Sequence, residues 1–321
     1  MVSIDMSFAT RALSVRFSLG DGATFGAGGG TTAEYSGLRI SAKITNAGSA
    51  QLCQMSASIF GLPLSVINAL STYGNIPRTT TNNTVTLTAS SSDGTSGIVF
   101  QGTIMTGFAD FTSMPDVPLI ITAQAGGAAA MKAAPPTSVK GVGDVGQIMS
   151  KLASQMAFAF ENAGVAIKLM NPYFAGTLRE QALACVRAAG IEWTIERGIL
   201  AIWPKNGNRG DSGAVISPET GMVGYPTYTS TGLMIRTLYD PAYVFGKSVT
   251  VKSSILHACG DWTVLSLTHD LESETPNGQW FSTIEAVTPK ILPSGTSAAS
   301  SSANPPATGN DGVTAIPSNL G

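Results

Sequence analysis

The chain has 321 residues, of which 43% are hydrophobic and only 12% are charged, with 36 glycines and 17 prolines. Its formal net charge of −2 excludes a strongly basic surface that would attract nucleic acid by charge alone. The sequence shows neither a secretory signal peptide nor a run of about 20 apolar residues, so we expect no membrane span and no export by the usual route. Because a free monomer normally keeps a charged surface, the low charge predicts that large surfaces are buried against other chains.

Residues 1–132 are predicted to form a first β domain. Apolar and polar residues alternate along most of its segments, as in half-buried strands. The predicted strands lie at 12–19, 38–44, 55–60, 85–89, 98–109 and 117–123. One short helix is predicted over 63–73, because Pro63 suits a first helical turn and Gly74 follows the end. Strands and turns at this spacing indicate a barrel or a sandwich.

Residues 133–205 are predicted to form a small α/β insert of helix, strand, helix and hairpin. Asp144 is a plausible N-cap for the first helix, and Thr177 with Glu180 gives the pattern of a capping box for the second, which Gly190 ends. The predicted elements are a helix at 144–161, a strand at 165–169, a helix from 177, and hairpin strands at 191–195 and 199–203.

Residues 206–293 return to β-strands and are predicted to form a second β domain. A Pro-Asn-Gly sequence at 276–278 is a strong hairpin signal between its last two strands. The predicted strands lie at 233–238, 248–251, 262–270 and 280–287.

Residues 294–321 have a different composition, with Asp311 as their single charged residue and no aromatic side chain. Such a segment cannot bury enough apolar surface to fold by itself. We therefore predict an extended C-terminal arm that lies along another chain.

A Gly-Asp-Ser-Gly motif at 210–213 matches the surroundings of the nucleophilic serine in trypsin-like proteases. That serine needs a histidine base and an orienting aspartate, and both precede it in those enzymes. The two histidines of this chain, His257 and His269, follow Ser212. We interpret the motif as a loop between domains, with a serine hydrolase built on Ser212 as an alternative.

A Gly-Val-Gly-Asp-Val-Gly motif at 141–146 has the glycine spacing of a dinucleotide-binding turn. That turn follows a buried strand, whereas here the preceding residues include Pro135 and Pro136. Asp144 would also occupy the helix N-terminus where the phosphate binds, so we interpret it as a helix cap.

Candidate metal ligands and paired carboxylates occur near the end of the second β domain. His257, Cys259, His269 and Asp270 lack the closely paired spacing of zinc sites, so we interpret the histidines as polar or edge residues of strands. Asp270, Glu272 and Glu274 alternate like the carboxylates of one strand face. A glycosidase pair is one interpretation, and a solvated strand edge is the one we favour.

The three cysteines, Cys53, Cys185 and Cys259, are far apart and imply no disulfide framework. Each is predicted to be a small buried apolar residue. The five aromatic residues Trp193, Trp203, Trp262, Trp280 and Phe281 are predicted to belong mainly to the core. The sequence therefore predicts no catalytic, cofactor-binding or metal-binding residue.

Several segments carry a family resemblance that covers roughly residues 8–290. They are LAIWPK at 200–205, ISPETGMVGYP at 216–226, HDLESE at 269–274, GQWF at 278–281 and NPYFAGTL at 171–178, with FSLG at 17–20 and GLRI at 37–40 consistent with them. In these segments the chain resembles the baseplate hub proteins of contractile-tailed bacteriophages.

The resemblance implies a mainly β fold with an α/β insert, in which two tube-like β-barrel domains flank the insert. It also implies a non-enzymatic homotrimer in the virion, made in the host cytoplasm, that needs no cofactor. Its expected partners are the hexameric tail tube protein, the trimeric central spike and other baseplate proteins, with DNA passing only transiently through the lumen. A receptor- or carbohydrate-binding tail protein is the alternative, and exposed aromatic residues lining one groove would favour it.

Overall fold

The computed structural model describes residues 10–26, 29–48, 52–72, 82–92, 94–131 and 133–288. The predicted arm at 294–321 and the predicted helix-ending Gly74 lie outside these residues. Strands dominate the described chain, and a small α/β insert separates two β regions. The predicted fold class, mainly β with an α/β insert, is confirmed.

The first β region holds strands with alternating buried and half-buried residues. In one of them, Val85, Leu87 and Ala89 are buried, whereas the threonines between them are half-buried. Its elements are β1 Arg11–Ser18, β2 Thr32–Ser36, β3 Ile40–Asn46, β4 Gln54–Phe60, α1 Leu64–Leu70, β5 Thr84–Ser91, β6 Ser96–Ala109 and β7 Pro118–Gln124.

Helix α1 is shorter than the prediction of 63–73. Ser71 already has an extended backbone conformation. The amide of Thr72 then donates to the carbonyl of Gly107 over 2.7 Å. Pairing with β6 therefore competes with further helical turns and ends the helix at Leu70.

The insert contains two helices of moderate length and several short strands. Its elements are β8 Thr137–Ser138, β9 Val142–Asp144, α2 Val145–Gln155, β10 Ala159–Asn162, β11 Lys168–Met170, β12 Tyr173–Phe174, α3 Leu178–Ala189, β13 Ile191–Glu196 and β14 Ile199–Pro204. The predicted capping box is confirmed: the Thr177 amide donates to Glu180 over 2.8 Å, and the Glu180 amide donates to Thr177 over 3.2 Å. The predicted hairpin is also confirmed, as β13 and β14.

Two predictions about the insert are wrong. Helix α2 ends before residue 161, because Ala157 adopts a φ of 60° and the following residues join β10, which pairs in parallel with β14. The strand predicted at 165–169 begins only at Lys168. Asn162 holds Val165 in a turn instead, through side-chain bonds to its amide (2.7 Å) and its carbonyl (3.0 Å).

The second β region contains the four predicted strands and two that the sequence did not reveal, β15 and β16. Its elements are β15 Asp211–Ile216, β16 Thr227–Tyr228, β17 Leu233–Leu238, β18 Ser248–Val251, β19 Gly260–Ser273 and β20 Trp280–Val287. The segment from Gly210 to Gly213 is thus not an interdomain loop, because Asp211, Ser212 and Gly213 already belong to β15, which pairs in parallel with β18.

Strand β19 joins the two β regions into one sheet. Its first residues, from Gly260 to Thr263, pair with β18, and its later residues, from Leu267 to Ser273, pair with β3. Its other edge pairs with β20. The result is a 13-stranded sheet whose main path runs β16-β17-β20-β19-β3-β4-β7-β6-β5-β1-β2.

The buried side chains form two large clusters and a small one. The first cluster combines the first β region with the insert and also takes Leu271 and Trp280 from the second β region. The second cluster lies within the second β region, and Ala201, Trp203 and Phe245 make the small third one. All four tryptophans are buried, as predicted, while Phe281 is half-buried.

Candidate functional site: the polar face of the sheet

One face of seven consecutive strands, from β17 to β6, is lined mainly by polar side chains in register. Residues paired across neighbouring strands point to the same side of a sheet, so the pairing defines continuous rows. We call these rows the polar ladder. The first row is Thr106, Thr122, Ser56, Lys43, Asp270, Phe281 and Leu238; the second is Gln124, Gln54, Thr45, Thr268, Thr283 and Arg236; the third is Phe108, Ile120, Ser58, Ser41 and Glu272.

The opposite side of the same strands is buried and mostly apolar. Ile44, Met55 and Ile121 alternate with ladder residues and are each no more than 2% exposed. Burial of this side fixes the register, since a shift of one residue would exchange the two faces. The polar ladder is therefore held in place by the core behind it.

The charges on this face are few and engaged. Lys43 Nζ lies 3.6 Å from Asp270 Oδ1, and the Arg236 guanidinium stacks 4.5 Å from the ring centre of Phe281. Glu272 accepts from the Ser41 hydroxyl (3.1 Å) and the Gln279 amide (2.9 Å). Glu285, which pairs with Met234 beside the rows, accepts from Thr231. The face is close to neutral, and its charged groups already have partners.

The ladder bears a shallow depression of about 320 Å³ where β3, β4, β6 and β7 run side by side. Most of its lining is polar and uncharged. The lining residues include Lys43, Thr45, Gln54, Ser56, Met105 and Gln124.

Behind the ladder, a buried ionic cluster connects the two β regions and the insert. We call this cluster the junction. The Arg209 side chain is only 2% exposed and pairs with Glu161 of β10 (Nη2–Oε2 2.8 Å) and with Glu196 of β13. Glu196 also accepts from Asn46 of β3 over 2.8 Å. Arg209 further donates to the Phe245 carbonyl over 3.0 Å. The junction thus ties the first β region and the insert to the second β region.

The contacts of the junction shift the pKa values of Glu161 and Arg209. Hydrogen bonding from Arg209 lowers the pKa of Glu161. Burial alone would lower the pKa of Arg209, but the bonds and charges of Glu161 and Glu196 outweigh burial and raise it. These shifts keep Glu161 and Arg209 charged, and loss of one partner would leave a buried charge uncompensated.

Ser212 has its hydroxyl engaged in local structure. It donates to the Ser248 carbonyl over 2.7 Å and accepts from the Ala214 amide over 3.1 Å. These bonds stabilise the start of β15 beside β18. The Gly-Asp-Ser-Gly motif at 210–213 therefore forms the start of strand β15.

His269 is a buried residue, contrary to the prediction of a polar or edge position. Its Nδ1 lies 2.8 Å from the hydroxyl of Ser282, which is itself fully buried. Burial, together with the charge of Arg197, lowers the pKa of His269 to about 3. This serine–histidine pair was not foreseen from sequence, because the two residues lie on paired strands, and at 2% exposure the imidazole is closed to a substrate.

The other candidate ligands do not converge. His257 and Cys259 are exposed around a short 3₁₀ turn, so the prediction that Cys259 is buried is wrong. The Cys259 thiol donates to the Ser253 carbonyl over 3.1 Å. Cys53 and Cys185 are buried as predicted, and burial raises the thiol pKa of both, that of Cys185 to about 12. Within the described ranges, no group of three or more His, Cys, Asp or Glu side chains could hold a metal ion.

The carboxylates at 270–274 do not mark a strand edge, because β19 has neighbours on both sides. Asp144 caps α2 as predicted, with its side chain accepting from the Gln147 amide over 2.9 Å. Of the residues that the structure describes, no helix is long and apolar enough to cross a membrane. Exposed aromatic residues are spread over both β regions and the insert; they are Phe108, Phe111, Tyr173, Tyr225 and Tyr228.

The fold is shared with a prophage tail protein, a second bacterial tail protein and a component of a secretion system. A 43 kDa tail protein of prophage MuSo2 from Shewanella oneidensis superposes with a TM-score of 0.56 at 10% identity, covering 87% of this chain and 99% of that one. A tail protein from Neisseria meningitidis superposes with a TM-score of 0.57 at 13% identity, covering 88% of this chain and 98% of that one. An E. coli component of the type VI secretion system superposes with a TM-score of 0.51 at 9% identity, covering 78% of this chain and 73% of that one. That component is described as similar to the T4 bacteriophage tail proteins gp27 and gp5.

The sequence itself matches the family "Baseplate hub gp41" over residues 13–284. The chain therefore belongs to this family of baseplate hub proteins, which are structural components of the virion tail. The resemblance read from the sequence is confirmed. No curated protein sequence matches the chain.

Proposed function

We propose that this chain acts as a homotrimeric adaptor that joins the hexameric tail tube to the trimeric central spike, in contact with other baseplate proteins. The polar ladder carries the proposal, because it continues across both β regions as one surface. Three copies around an axis would present six β regions, which matches a sixfold tube on one side and a threefold spike on the other.

In this proposal the polar ladder lines the channel through which DNA passes during ejection. A wall for a moving polyanion should neither hold phosphates with free cations nor carry a large negative charge. The ladder carries Lys43 and Arg236 against Asp270 and Glu272, so its rows are balanced in charge; Lys43 pairs with Asp270, and Arg236 stacks on Phe281. Hydroxyl and amide groups make up most of the remainder.

The proposed domain division follows the sequence: 1–132, 133–205 and 206–293, with 294–321 as the arm. The junction of Arg209, Glu161, Glu196 and Asn46 would hold the three folded parts at a fixed angle. The arm would dock onto the spike or onto a neighbouring hub chain. Deletion of 294–321 should weaken co-purification with the spike, and unchanged co-purification would refute the arm's role.

The proposed role is structural and involves no catalysis or cofactor. Ser212 already uses its hydroxyl to bridge the Ser248 carbonyl and the Ala214 amide. The protein would be made in the host cytoplasm and function in the virion.

The trimer is tested by the mass in solution, measured by light scattering coupled to size exclusion at several concentrations. We expect three times the chain mass of 32.9 kDa. A monomer at every concentration would contradict the homotrimer.

A further inference from the structure

A cleft of about 220 Å³ lies where the insert meets the end of the second β region. Trp203 and Phe245 form its aromatic wall, with ring centres 5.9 Å apart in an edge-to-face arrangement. Two glycines let these rings pack closely. A Cβ at Gly48 would clash with the Phe245 ring, and one at Gly246 would come within 2.9 Å of the Trp203 ring. The fold therefore shapes this space, which we call the aromatic cleft.

The aromatic cleft contains a carboxylate without a cation partner. Glu192 of β13 pairs with Trp203 of β14, so the two side chains lie on the same face of the hairpin. The described residues include no ion-pair partner for Glu192. Burial raises the pKa of Glu192, although the charge of Lys205 opposes this shift. The cleft therefore suits a cation on an apolar stem, which is the form of a lysine side chain.

Two buried hydroxyl groups at the same place lack hydrogen-bond partners within the described ranges. Thr263 lines the cleft and is 6% exposed, and its Oγ1 is unpaired. Thr288, at the end of the described chain, has a buried and unpaired hydroxyl as well. Thr263 pairs with Val287, so both hydroxyls lie at the end of β20. Because buried hydroxyls nearly always have a partner, we expect a further polar group to lie here.

The chain continues from the cleft itself. Val287 lines the aromatic cleft, and residues 289–293 follow it with the sequence Pro-Lys-Ile-Leu-Pro. Lys290 is the only Lys or Arg in residues 288–321. Three residues of extended chain span about 10 Å, so Lys290 can reach the cleft from Val287. Charge and position thus both favour Lys290 of the same copy as the occupant.

We infer that residues 289–293 cross the aromatic cleft of their own copy and bring the Lys290 ammonium to the Glu192 carboxylate. We call this segment the strap. The stem of Lys290 packs against the aromatic wall, and backbone groups of the strap bond with the two unpaired hydroxyls. The strap fastens the end of β20 to β13, so the arm leaves the molecule beside the insert. The inference concerns each copy by itself and does not depend on the proposed trimer.

Zero-length cross-linking of the full-length chain tests this contact. A carbodiimide joins a carboxylate to an amine only when the two groups touch. Lys43 and Asp270, 3.6 Å apart on the ladder, provide a positive control in the same sample. We expect mass spectrometry of the digested protein to show an amide between Glu192 and Lys290. That amide should occur in the denaturing-gel band that has the mass of one chain.

Three results of the cross-linking would overturn the inference. A Glu192–Lys290 amide found only in the band of two chains would assign the cleft to the strap of a neighbouring copy. An amide from Glu192 to Lys205, without one to Lys290, would show that Lys205 is the cation partner. Linking of Lys43 to Asp270 with no product at Glu192 would leave the cleft without the strap.

Limited proteolysis measures the same contact without cross-linking. Trypsin cleaves after Lys290 when the strap is undocked, so Glu192→Gln should speed this cleavage by about tenfold or more, with cleavage elsewhere unchanged. Glu34→Gln is the matched control, because it removes an exposed carboxylate that pairs with Arg16 and should leave the rate unchanged. Equal rates in all three proteins would overturn the strap. A monomer in light scattering would instead refute the proposed trimer and leave the strap intact.

Discussion

The polar ladder and the junction use charge in opposite ways. On the ladder, two cations and two carboxylates balance each other, and hydroxyl and amide groups dominate. At the junction, Arg209 is 2% exposed and is surrounded by the carboxylates of Glu161 and Glu196. In a chain with only 12% charged residues, strong ionic contacts are thus placed where they fix geometry. A nearly neutral surface and a strongly ionic interior are compatible in one small protein.

The largest effect that sharpens this comparison is expected from Arg209→Met. It leaves Glu161 and Glu196 without their cation, so the free energy of unfolding should fall by about 3–5 kcal/mol. Urea denaturation measures the change. Arg16→Met removes an exposed partner of Glu34 and should cost at most about 1 kcal/mol. Equal losses in the two variants would contradict the distinction between the junction and a surface ion pair.

A smaller loss of stability is expected when a substitution on the buried face of the sheet is compared with one on the ladder face. Ile44→Ala creates a cavity in the core behind the ladder and should lower the free energy of unfolding by about 2–4 kcal/mol. Its neighbour Thr45 points to the ladder, and Thr45→Ala should change stability by no more than about 0.5 kcal/mol. If Thr45→Ala lowered the midpoint of thermal unfolding more than Ile44→Ala did, the assignment of the two faces would be wrong.

The buried histidine predicts a pH dependence of stability. The pKa of His269 is about 3 in the folded chain and about 6.5 when unfolded, so the unfolded state binds the proton first as the pH falls. Its stabilising contribution is complete above pH ~6.5 and declines by at most about 1.4 kcal/mol per pH unit as the pH falls toward 3. His269→Gln should flatten the stability profile in this window. His257→Gln, at an exposed position, is the matched control for the substitution.

The smallest effect is expected from Ser212→Ala. Loss of the bond to the Ser248 carbonyl should cost about 1 kcal/mol and leave assembly intact. A fluorophosphonate probe should fail to label Ser212 in the unmodified protein. Specific labelling at that position would contradict a purely structural role and revive the hydrolase alternative.

Local patterns in the sequence predicted much of this fold. The alternation in β5 and the capping box of Thr177 and Glu180 specify their elements through neighbouring residues alone. The strand β15 escaped prediction because its Gly-Asp-Ser-Gly start has the composition of a loop and is ordered by pairing with β18. Helix α2 was predicted too long for a related reason, since residues 159–161 pair in parallel with β14 as part of β10 instead of continuing the helix.

The polar ladder and the junction could not be predicted from the sequence. Asn46 and Glu196 are 150 positions apart and meet only because the insert folds against β3. The ladder depends on β19 pairing with β3, which brings Asp270 beside Lys43. Each strand alone showed a polar side, but the order of the strands in the sheet is a long-range property of the fold.

The central claim is that the polar ladder forms the wall of a channel in a ring of three chains. Electron cryo-microscopy of the purified assembly tests it most directly. The account predicts a threefold ring in which Ser56, Thr122, Thr268 and Thr283 face the central opening. A ring in which these residues face the outside, with another surface lining the opening, would contradict it.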